Sequence, residues 1–218
     1  MSVLISNQDL AKKVAGALLD IKAVGFSLDQ PVTFKSGIIS PVYVDNRTFP
    51  AHTTEWKVVI GGFSQLISSQ HLEFDFIAGI ETAGIPHSAA LGFSLDKPSV
   101  FVRKKAKDHG TKKMVEGGDV KEKKVLLIED LVTTGGSSLA GVESLRQAGA
   151  VVTDCLVIVS YGFEESVEAF AQAGVNLHSL TDFPTILSEA IKRNLLTEEQ
   201  KTSIESWLED PFGWANKR

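Results

Sequence analysis

Short apolar runs alternate with helical patterns along most of the chain, and this alternation limits the folds that the chain can adopt. The apolar runs include FDFIAGI at residues 74–80, SVFVR at 99–103, VLLIED at 125–130 and VNLHSL at 175–180. Strands separated by helices of about 10–15 residues predict βαβ units and an open, mainly parallel α/β sheet with helices on its faces. Ligands bind beyond the carboxyl ends of the strands in such sheets. The residues that follow these runs are therefore the first candidates for a binding site.

The remaining segments predict a small β region before the sheet and two helices after it. Apolar residues at helical spacing predict a helix over 9–22, and PVTFKSGIISPVYVDNRTF at 31–49 is typical of a hairpin or an irregular β excursion. Thr197 and Gln200 fit a capping box and predict the start of the last helix. With 218 residues we expect one domain (1–218), which comprises an N-terminal helix and β region (about 1–50), an α/β core (about 55–180) and C-terminal helices (about 182–218).

The overall composition is that of a globular protein with an acidic balance. Lys and Arg number 22 against 27 Asp and Glu, which gives a formal net charge of −5. General nucleic-acid binding needs a basic face, so this balance argues against it. No apolar run reaches the roughly 18 residues of a membrane span, and the first residues become polar too early for a secretory signal. Cys155 is the single cysteine and leaves no internal disulfide, so we expect a cytoplasmic protein.

The most informative motif is VLLIEDLVTTGGSS, at residues 125–138. A buried strand ends there in two carboxylates, Glu129 and Asp130, and a Thr/Gly/Ser turn leads directly into a predicted helix. Glycines let backbone N–H groups turn toward an anion, and the positive N-terminus of a helix adds to the attraction. The turn therefore predicts a phosphate site, while the two carboxylates need a different partner, such as ribose hydroxyls or metal-bound water.

Other interpretations of this motif explain less of it. It is neither the GxxxxGK[ST] motif of a Walker A loop nor the GxGxxG motif of dinucleotide-binding proteins. An ordinary strand–turn–helix junction, in which Thr or Ser caps the helix, would explain the glycines and hydroxyls. Such a junction gives no reason for two acids at the end of an apolar strand, so the motif favours a binding site.

The motif resembles the signature of the type I phosphoribosyltransferases, which bind 5-phosphoribosyl-1-pyrophosphate. In that family the turn holds the 5-phosphate, and the paired acids accept the 2- and 3-hydroxyls of the ribose. The resemblance implies that Glu129 and Asp130 bind the ribose of this phosphoribosyl donor, and that Asp130 is also catalytic. It implies a phosphate-binding role for the seven residues that follow, which are Leu131, Val132, Thr133, Thr134, Gly135, Gly136 and Ser137.

A strongly basic segment follows the predicted strand at 99–103. RKKAKDHGTKK at 103–113 holds six Lys or Arg in eleven residues, and its position predicts that it emerges at the ligand edge of the sheet. A solvated surface loop would carry the same charge. The segment resembles the mobile catalytic loop of the orotate phosphoribosyltransferases, however, and the glycines at 110, 117 and 118 would let it close as a lid. The resemblance implies catalytic roles for Lys107 and His109, and contacts with pyrophosphate from Arg103, Lys104, Lys107 and His109.

A third motif, FKSGIISPVYVDNR at residues 34–47, is similar to the N-terminal hood that covers the base in the same family. The resemblance implies that Lys35 contacts both the phosphoribosyl donor and orotate. It also implies that Tyr43 and Val44 line the site of the orotate ring, together with Thr133 of the glycine turn.

The sequence departs from many members of the family at two positions. Ala83, in the GIETAGIP turn that the resemblance assigns to pyrophosphate, stands where a lysine is often found. Tyr161 stands where many relatives have an arginine that pairs with the carboxylate of orotate, and we expect Tyr161 to lie at the orotate site. How the carboxylate is held is therefore open, with Lys35 and backbone N–H groups as the candidates.

In combination, the three motifs imply a member of the orotate phosphoribosyltransferase family, which makes orotidine 5-monophosphate and pyrophosphate in pyrimidine biosynthesis. Mg²⁺ is the expected cofactor, held mainly by substrate and water rather than by protein side chains. A homodimer is expected, in which residues 103–118 reach the neighbouring site. A phosphoribosyltransferase for another base and a non-catalytic regulator that senses the donor remain as alternatives. Because its cations are concentrated in one segment, the net charge of −5 does not exclude anionic substrates.

Overall fold

A seven-stranded sheet lies at the centre of the computed structural model, which describes residues 4–5, 7–104 and 113–217. Numbered along the whole chain, its strands are β1 (Leu4–Ile5), β6 (Phe76–Ile80), β7 (Ser99–Val102), β8 (Val115–Glu116), β9 (Val125–Val132), β10 (Asp154–Ser160) and β11 (Asn176–Asp182). Their order is β1-β11-β10-β9-β6-β7-β8, and every neighbouring pair is parallel except β7 and β8. The predicted open, mainly parallel sheet is confirmed.

Helices cover both faces of this sheet. The described residues form α1 (Gln8–Asp20), α2 (Thr53–Ser69), α3 (Gly84–Ser94), α4 (Gly136–Gln147), α5 (Glu164–Gln172), α6 (Phe183–Lys192) and α7 (Glu198–Glu209). One apolar cluster joins the sheet to α1, α2, α3, α6 and α7, and a second joins it to α4 and α5. Within the described ranges, no helix is both long and apolar enough to cross a membrane.

The uninterrupted apolar run of β9 is buried between the two apolar clusters. Leu126 and Ile128 belong to one cluster and Leu127 to the other, so the strand is buried on both of its faces. The strand is longer than the sequence pattern predicts, because it runs to Val132 instead of ending at Asp130. Leu131 and Val132 therefore belong to the strand and not to the turn, and Gly136 and Ser137 belong to the first turn of α4.

The β region predicted at 31–49 consists of two small antiparallel sheets, which we call the hood (residues 24–51). Its strands are β2 (Val24–Phe26), β3 (Val32–Thr33), β4 (Ile39–Ser40) and β5 (Val42–Val44), with β2 paired to β5 and β3 paired to β4. A 3-10 turn at Asn46–Ala51 completes it. The prediction is confirmed, although β2 begins before the predicted segment.

The C-terminal helices support the hood. Thr197 and Gln200 form the predicted capping box at the start of α7. On the same helix the fully buried Trp207 donates its indole N–H to the carbonyl oxygen of Ile39 in β4, at 3.0 Å. Its ring also packs against Phe34 and Tyr161. We call this contact of α7 with the β3–β4 hairpin the brace.

Two strands have no clear signal in the sequence. β1 pairs with β11 through Leu4 and Ile5, so the strand predicted at 175–180 is not at the edge of the sheet. β8 lies at 115–116, inside the segment predicted to be a loop, and pairs with β7. Both strands have only two residues, which is too short for an alternating pattern to be recognised.

Candidate active site

A cleft of about 860 Å³ lies between the hood and the carboxyl ends of β6, β7 and β9. This is the edge at which a parallel sheet positions its ligands. The cleft brings together most of the residues singled out in the sequence: Lys35, Tyr43, Val44, Arg103, Lys104, Glu129, Asp130, Leu131, Val132, Thr133, Thr134, Gly135, Gly136 and Ser137. Lys107 and His109 lie outside the described residues.

The two carboxylates of β9 are held close together in the wall of the cleft. Glu129 is only 5% exposed, and its carboxylate accepts the backbone N–H of Asp130 at 3.1 Å and the hydroxyl of Ser137 at 3.3 Å. Burial raises the pKa of Glu129 well above its usual value, and the neighbouring Asp130 charge raises it further. Burial also raises the pKa of Asp130. Their raised pKa values indicate that the two carboxylates are poorly solvated. Ribose hydroxyls would supply further hydrogen bonds to them.

The glycine turn presents the N-terminus of α4 to the cleft. Gly135 has a positive φ of 84°, and a Cβ there would lie 2.9 Å from the ring of Phe170. This conformation and this close approach both require glycine. No side chain among the described residues caps the helix at Gly135, so the first backbone N–H groups of α4 are available to an anion. The turn has the geometry of a phosphate site, as its sequence predicts.

The turn after β6 is packed tightly against β9. A Cβ on Gly79 would lie 2.6 Å from the carbonyl oxygen of Gly84, and a Cβ on Gly84 would lie 2.6 Å from the carbonyl oxygen of Ile128. Between them, Ala83 lines the cleft and the peptide bond that joins Glu81 to Thr82 is cis. The two glycines let the turn lie directly beside the acid pair.

The cations at the end of β7 are positioned by two carboxylates. Arg103 pairs with Glu116 of β8 at 3.1 Å, and the backbone N–H of Lys104 donates to the carboxylate of Glu81 at 2.9 Å. The charge of Lys104 lowers the pKa values of both Glu129 and Asp130, against the larger effect of burial. The basic segment therefore starts opposite the acid pair.

The hood is tied directly to the acidic end of β9. Asn46 is fully buried, and its side-chain amide donates to the carbonyl oxygen of Asp130 at 2.9 Å. The next residue, Arg47, lines the cleft together with Asp45. Arg47 donates from Nε and Nη2 to the two carboxylate oxygens of Asp45, at 2.6 and 2.8 Å. These three residues directly follow the hood strand that contains Tyr43 and Val44, but no pattern in the sequence marks them as site residues.

Tyr161, which the family resemblance places at the orotate site, lies in the protein core. It is buried and does not line the cleft. Its ring stacks on Phe163 and Phe183 and packs against Phe34 of the hood. Burial also raises the pKa of its hydroxyl. The structure therefore does not bring Tyr161 together with the other residues predicted for orotate, because its ring is accommodated in the core behind the hood.

His87 is a second titratable group near the site, and it too faces the protein interior. Trp56 donates its indole N–H to Nδ1 of His87 at 2.9 Å. An indole nitrogen can only donate, so Nδ1 accepts and the neutral ring carries its proton on Nε2. Burial lowers the pKa of His87 to about 4. The ring stays neutral at physiological pH and packs against Phe49 of the hood.

Known proteins are similar to this chain in sequence and in fold. Residues 51–168 match the phosphoribosyl transferase domain family. The orotate phosphoribosyltransferase of Coxiella burnetii is 41% identical to this chain, over 94% of this chain and 98% of its own length. The chain belongs to the orotate phosphoribosyltransferase family. The orotate phosphoribosyltransferase of Halalkalibacterium halodurans is 39% identical, over 95% of this chain and all of its own length.

Solved structures of this family have the same architecture. The orotate phosphoribosyltransferase of Aeropyrum pernix is 31% identical, with a TM-score of 0.72 over 84% of this chain and 99% of its own chain. The UMP synthase of Leishmania donovani is 28% identical, with a TM-score of 0.79 over 91% of this chain. The match spans 42% of that longer chain. The family resemblance seen in the three motifs is confirmed, and with it the assignment of the chain as a phosphoribosyl-transferring enzyme.

Proposed function

We propose that this cleft transfers the phosphoribosyl group of 5-phosphoribosyl-1-pyrophosphate to orotate, giving orotidine 5-monophosphate and pyrophosphate. The observation that carries the proposal is the meeting of three structures in one cleft: the acid pair of β9, the N-terminus of α4 and the hood. Each matches one part of the two substrates, namely the ribose hydroxyls, the 5-phosphate and the base.

The donor is bound at the junction of β9 and α4. The backbone N–H groups of the first turn of α4, that of Ser137 included, and the hydroxyls of Thr133 and Thr134 hold the 5-phosphate. Glu129 and Asp130 accept hydrogen bonds from the 2- and 3-hydroxyls of the ribose. Because burial disfavours their ionised forms, these hydrogen bonds compensate charge that is poorly solvated.

In the transition state of the transfer, positive charge develops on the ribosyl carbon and negative charge develops on the departing pyrophosphate. The ring nitrogen of orotate is already anionic in the reactive form, so the chain needs no strong base. Arg103 and Lys104 stand at the entrance of the cleft, and Lys107 and His109 follow them in the sequence. These cations stabilise the leaving group, and in a cleft from which water is excluded their effect is larger than in solvent.

Mg²⁺ is the cofactor that we propose for this reaction. Among the described residues, no three His, Cys, Asp or Glu side chains form a group that could hold a metal ion. The two buried carboxylates at the ribose end fit an ion that is held mainly by donor oxygens and water, with Glu129 and Asp130 in contact with its water shell. When bound, the ion would supply positive charge to the pyrophosphate.

Two further features belong to the proposal. We propose a homodimer in which residues 103–118 reach the neighbouring site, on the basis of the basic segment that begins at the end of β7. We also propose a cytoplasmic enzyme, because the sole cysteine, Cys155, is buried and free, as expected in a reducing compartment.

The decisive test is the loss of orotate absorbance when the phosphoribosyl donor and Mg²⁺ are added to the protein. We expect turnover with orotate, little turnover with uracil or hypoxanthine, and no turnover when a chelator removes the metal. Activity on uracil or hypoxanthine alone would indicate a phosphoribosyltransferase for another base. Binding of the donor without turnover of any base would indicate a regulator instead.

A further inference from the structure

We infer that Arg47 binds the carboxylate of orotate and thereby selects orotate over bases that lack a carboxylate. The inference rests on the proposed function. It assigns a substrate group to a hood residue, where the two positions that carry a basic residue in many relatives, Ala83 and Tyr161, provide none.

The position of Arg47 is fixed by its neighbour in the chain. The buried side chain of Asn46 ties the hood to the carbonyl oxygen of Asp130 at 2.9 Å. This bond holds Arg47 beside the acidic end of β9, where the charges of Arg47 and Asp130 affect each other's pKa. The ribose binds at Asp130, and the carboxylate of orotate is on the ring carbon next to the nitrogen that attacks the ribose. A group beside Asp130 is therefore close to the position that the carboxylate takes.

The orientation of the guanidinium is fixed as well. Its Nε and Nη2 donate to Asp45, and Nη2 also donates to the hydroxyl of Tyr43 at 2.6 Å. An arginine has five N–H donors, and these contacts use three. In the described part of the chain, none of the hydrogen bonds of Arg47 uses Nη1. Its two donors are available to a ligand, and the other three hold the guanidinium in place before the ligand arrives.

The other cations in the described wall of the cleft fit the carboxylate less well. Arg103 and Lys104 lie at the end of β7, where the proposed function assigns them to the departing pyrophosphate, and Lys104 faces the acid pair. Lys35, in the turn between β3 and β4, is exposed like Arg47, but within the described ranges no hydrogen bond or ion pair of its side chain orients it. A guanidinium donates in a planar fork that matches a carboxylate, which a lysine cannot do. The geometry therefore favours Arg47.

The test compares Arg47→Gln and Arg47→Lys with the wild type, using orotate and uracil as acceptors. In Arg47→Gln we expect the KM for orotate to rise about 10- to 100-fold, as for the loss of charge-assisted hydrogen bonds. The KM for the phosphoribosyl donor and the low rate with uracil should stay unchanged, so the preference for orotate over uracil should fall by the same factor. Arg47→Lys should recover part of the loss.

Arg193→Gln is the matched control. Arg193, directly after α6, is also ion-paired, to Asp20 of α1 at 2.7 Å, and it lies away from the cleft. It should leave both KM values unchanged. An unchanged orotate KM in Arg47→Gln, or an equal loss with orotate and uracil, overturns the inference. If Arg47→Gln fails to fold, an unchanged orotate KM in Arg47→Lys overturns it instead. A wild type that does not use orotate would contradict the proposed function and not the role of Arg47 within it.

Discussion

Replacing Glu129 by Gln is expected to stabilise the folded protein at alkaline pH while it weakens binding of the phosphoribosyl donor. The carboxylate of Glu129 is buried beside Asp130, and both effects raise its pKa. Gln has the same shape, and its amide oxygen can still accept the backbone N–H of Asp130. The substitution thus removes a poorly solvated charge without opening a cavity.

The size of the effect depends on pH, and its sign follows from the raised pKa. An acid whose pKa is raised by folding keeps its proton in the folded state where the unfolded chain has already lost it. Stability then falls as the pH rises from the unfolded pKa to the folded one. The loss is about 1.4 kcal/mol for each pH unit between the two values. Glu129→Gln should escape it, so its advantage in stability over the wild type should grow by up to about 1.4 kcal/mol for each pH unit between the unfolded and the folded pKa of Glu129.

Urea unfolding of the wild type and the variant across this pH range measures the difference directly. Glu168→Gln is the control, because Glu168 is exposed on α5 and its removal should not change the pH dependence. In parallel, the KM for the donor should rise in Glu129→Gln, since one acceptor for the ribose hydroxyls is weakened. A variant that is less stable than the wild type at pH 8 would show that the acid pair is not a source of electrostatic strain.

Three further substitutions, the first with a matched control variant, test other parts of the site. Gly135→Ala should lose at least about 1 kcal/mol in urea unfolding and raise the donor KM, because of its positive φ and the Phe170 ring. Gly136→Ala, where a Cβ meets nothing within 4 Å, should cost no stability, and equal losses in the two variants would refute this argument. Trp207→Phe should lose about 1–3 kcal/mol by leaving the Ile39 carbonyl unpaired and should raise the KM for orotate more than that for the donor. Lys107→Ala should lower kcat by about 100-fold or more at an unchanged melting temperature, and near-normal turnover would remove this loop from the mechanism.

The sequence predicts the sheet and the donor site because their signals are local. VLLIED is apolar enough to require cover on both faces, and the glycines after it have one structural use, at the start of a helix. The predicted boundaries are wrong by two residues at each end of the turn, since Leu131 and Val132 still pair in the sheet and Gly136 and Ser137 already belong to α4. Such boundaries depend on neighbouring strands, which one segment of sequence does not contain.

The orotate side of the site was harder to predict because it depends on contacts between distant segments. Asn46 meets Asp130 across 84 residues of chain, and neither residue alone indicates the other. In the sequence, Arg47 is indistinguishable from an ordinary surface arginine. It becomes a candidate for binding orotate only because the fold places it beside Asp130. Tyr161 occupies the chain position of an arginine found in many relatives, but its ring lies in the core, and its burial depends on aromatic neighbours from distant segments.

The brace has a consequence for the way in which the protein matures. Trp207 and the Ile39 carbonyl that it holds are 168 residues apart, so the hood is synthesised well before the helix that secures it. A nascent chain can assemble the sheet and the phosphate turn before residue 207 has left the ribosome. The base pocket, in contrast, has to wait for α7. Newly made chains should therefore acquire affinity for the donor before they acquire affinity for orotate.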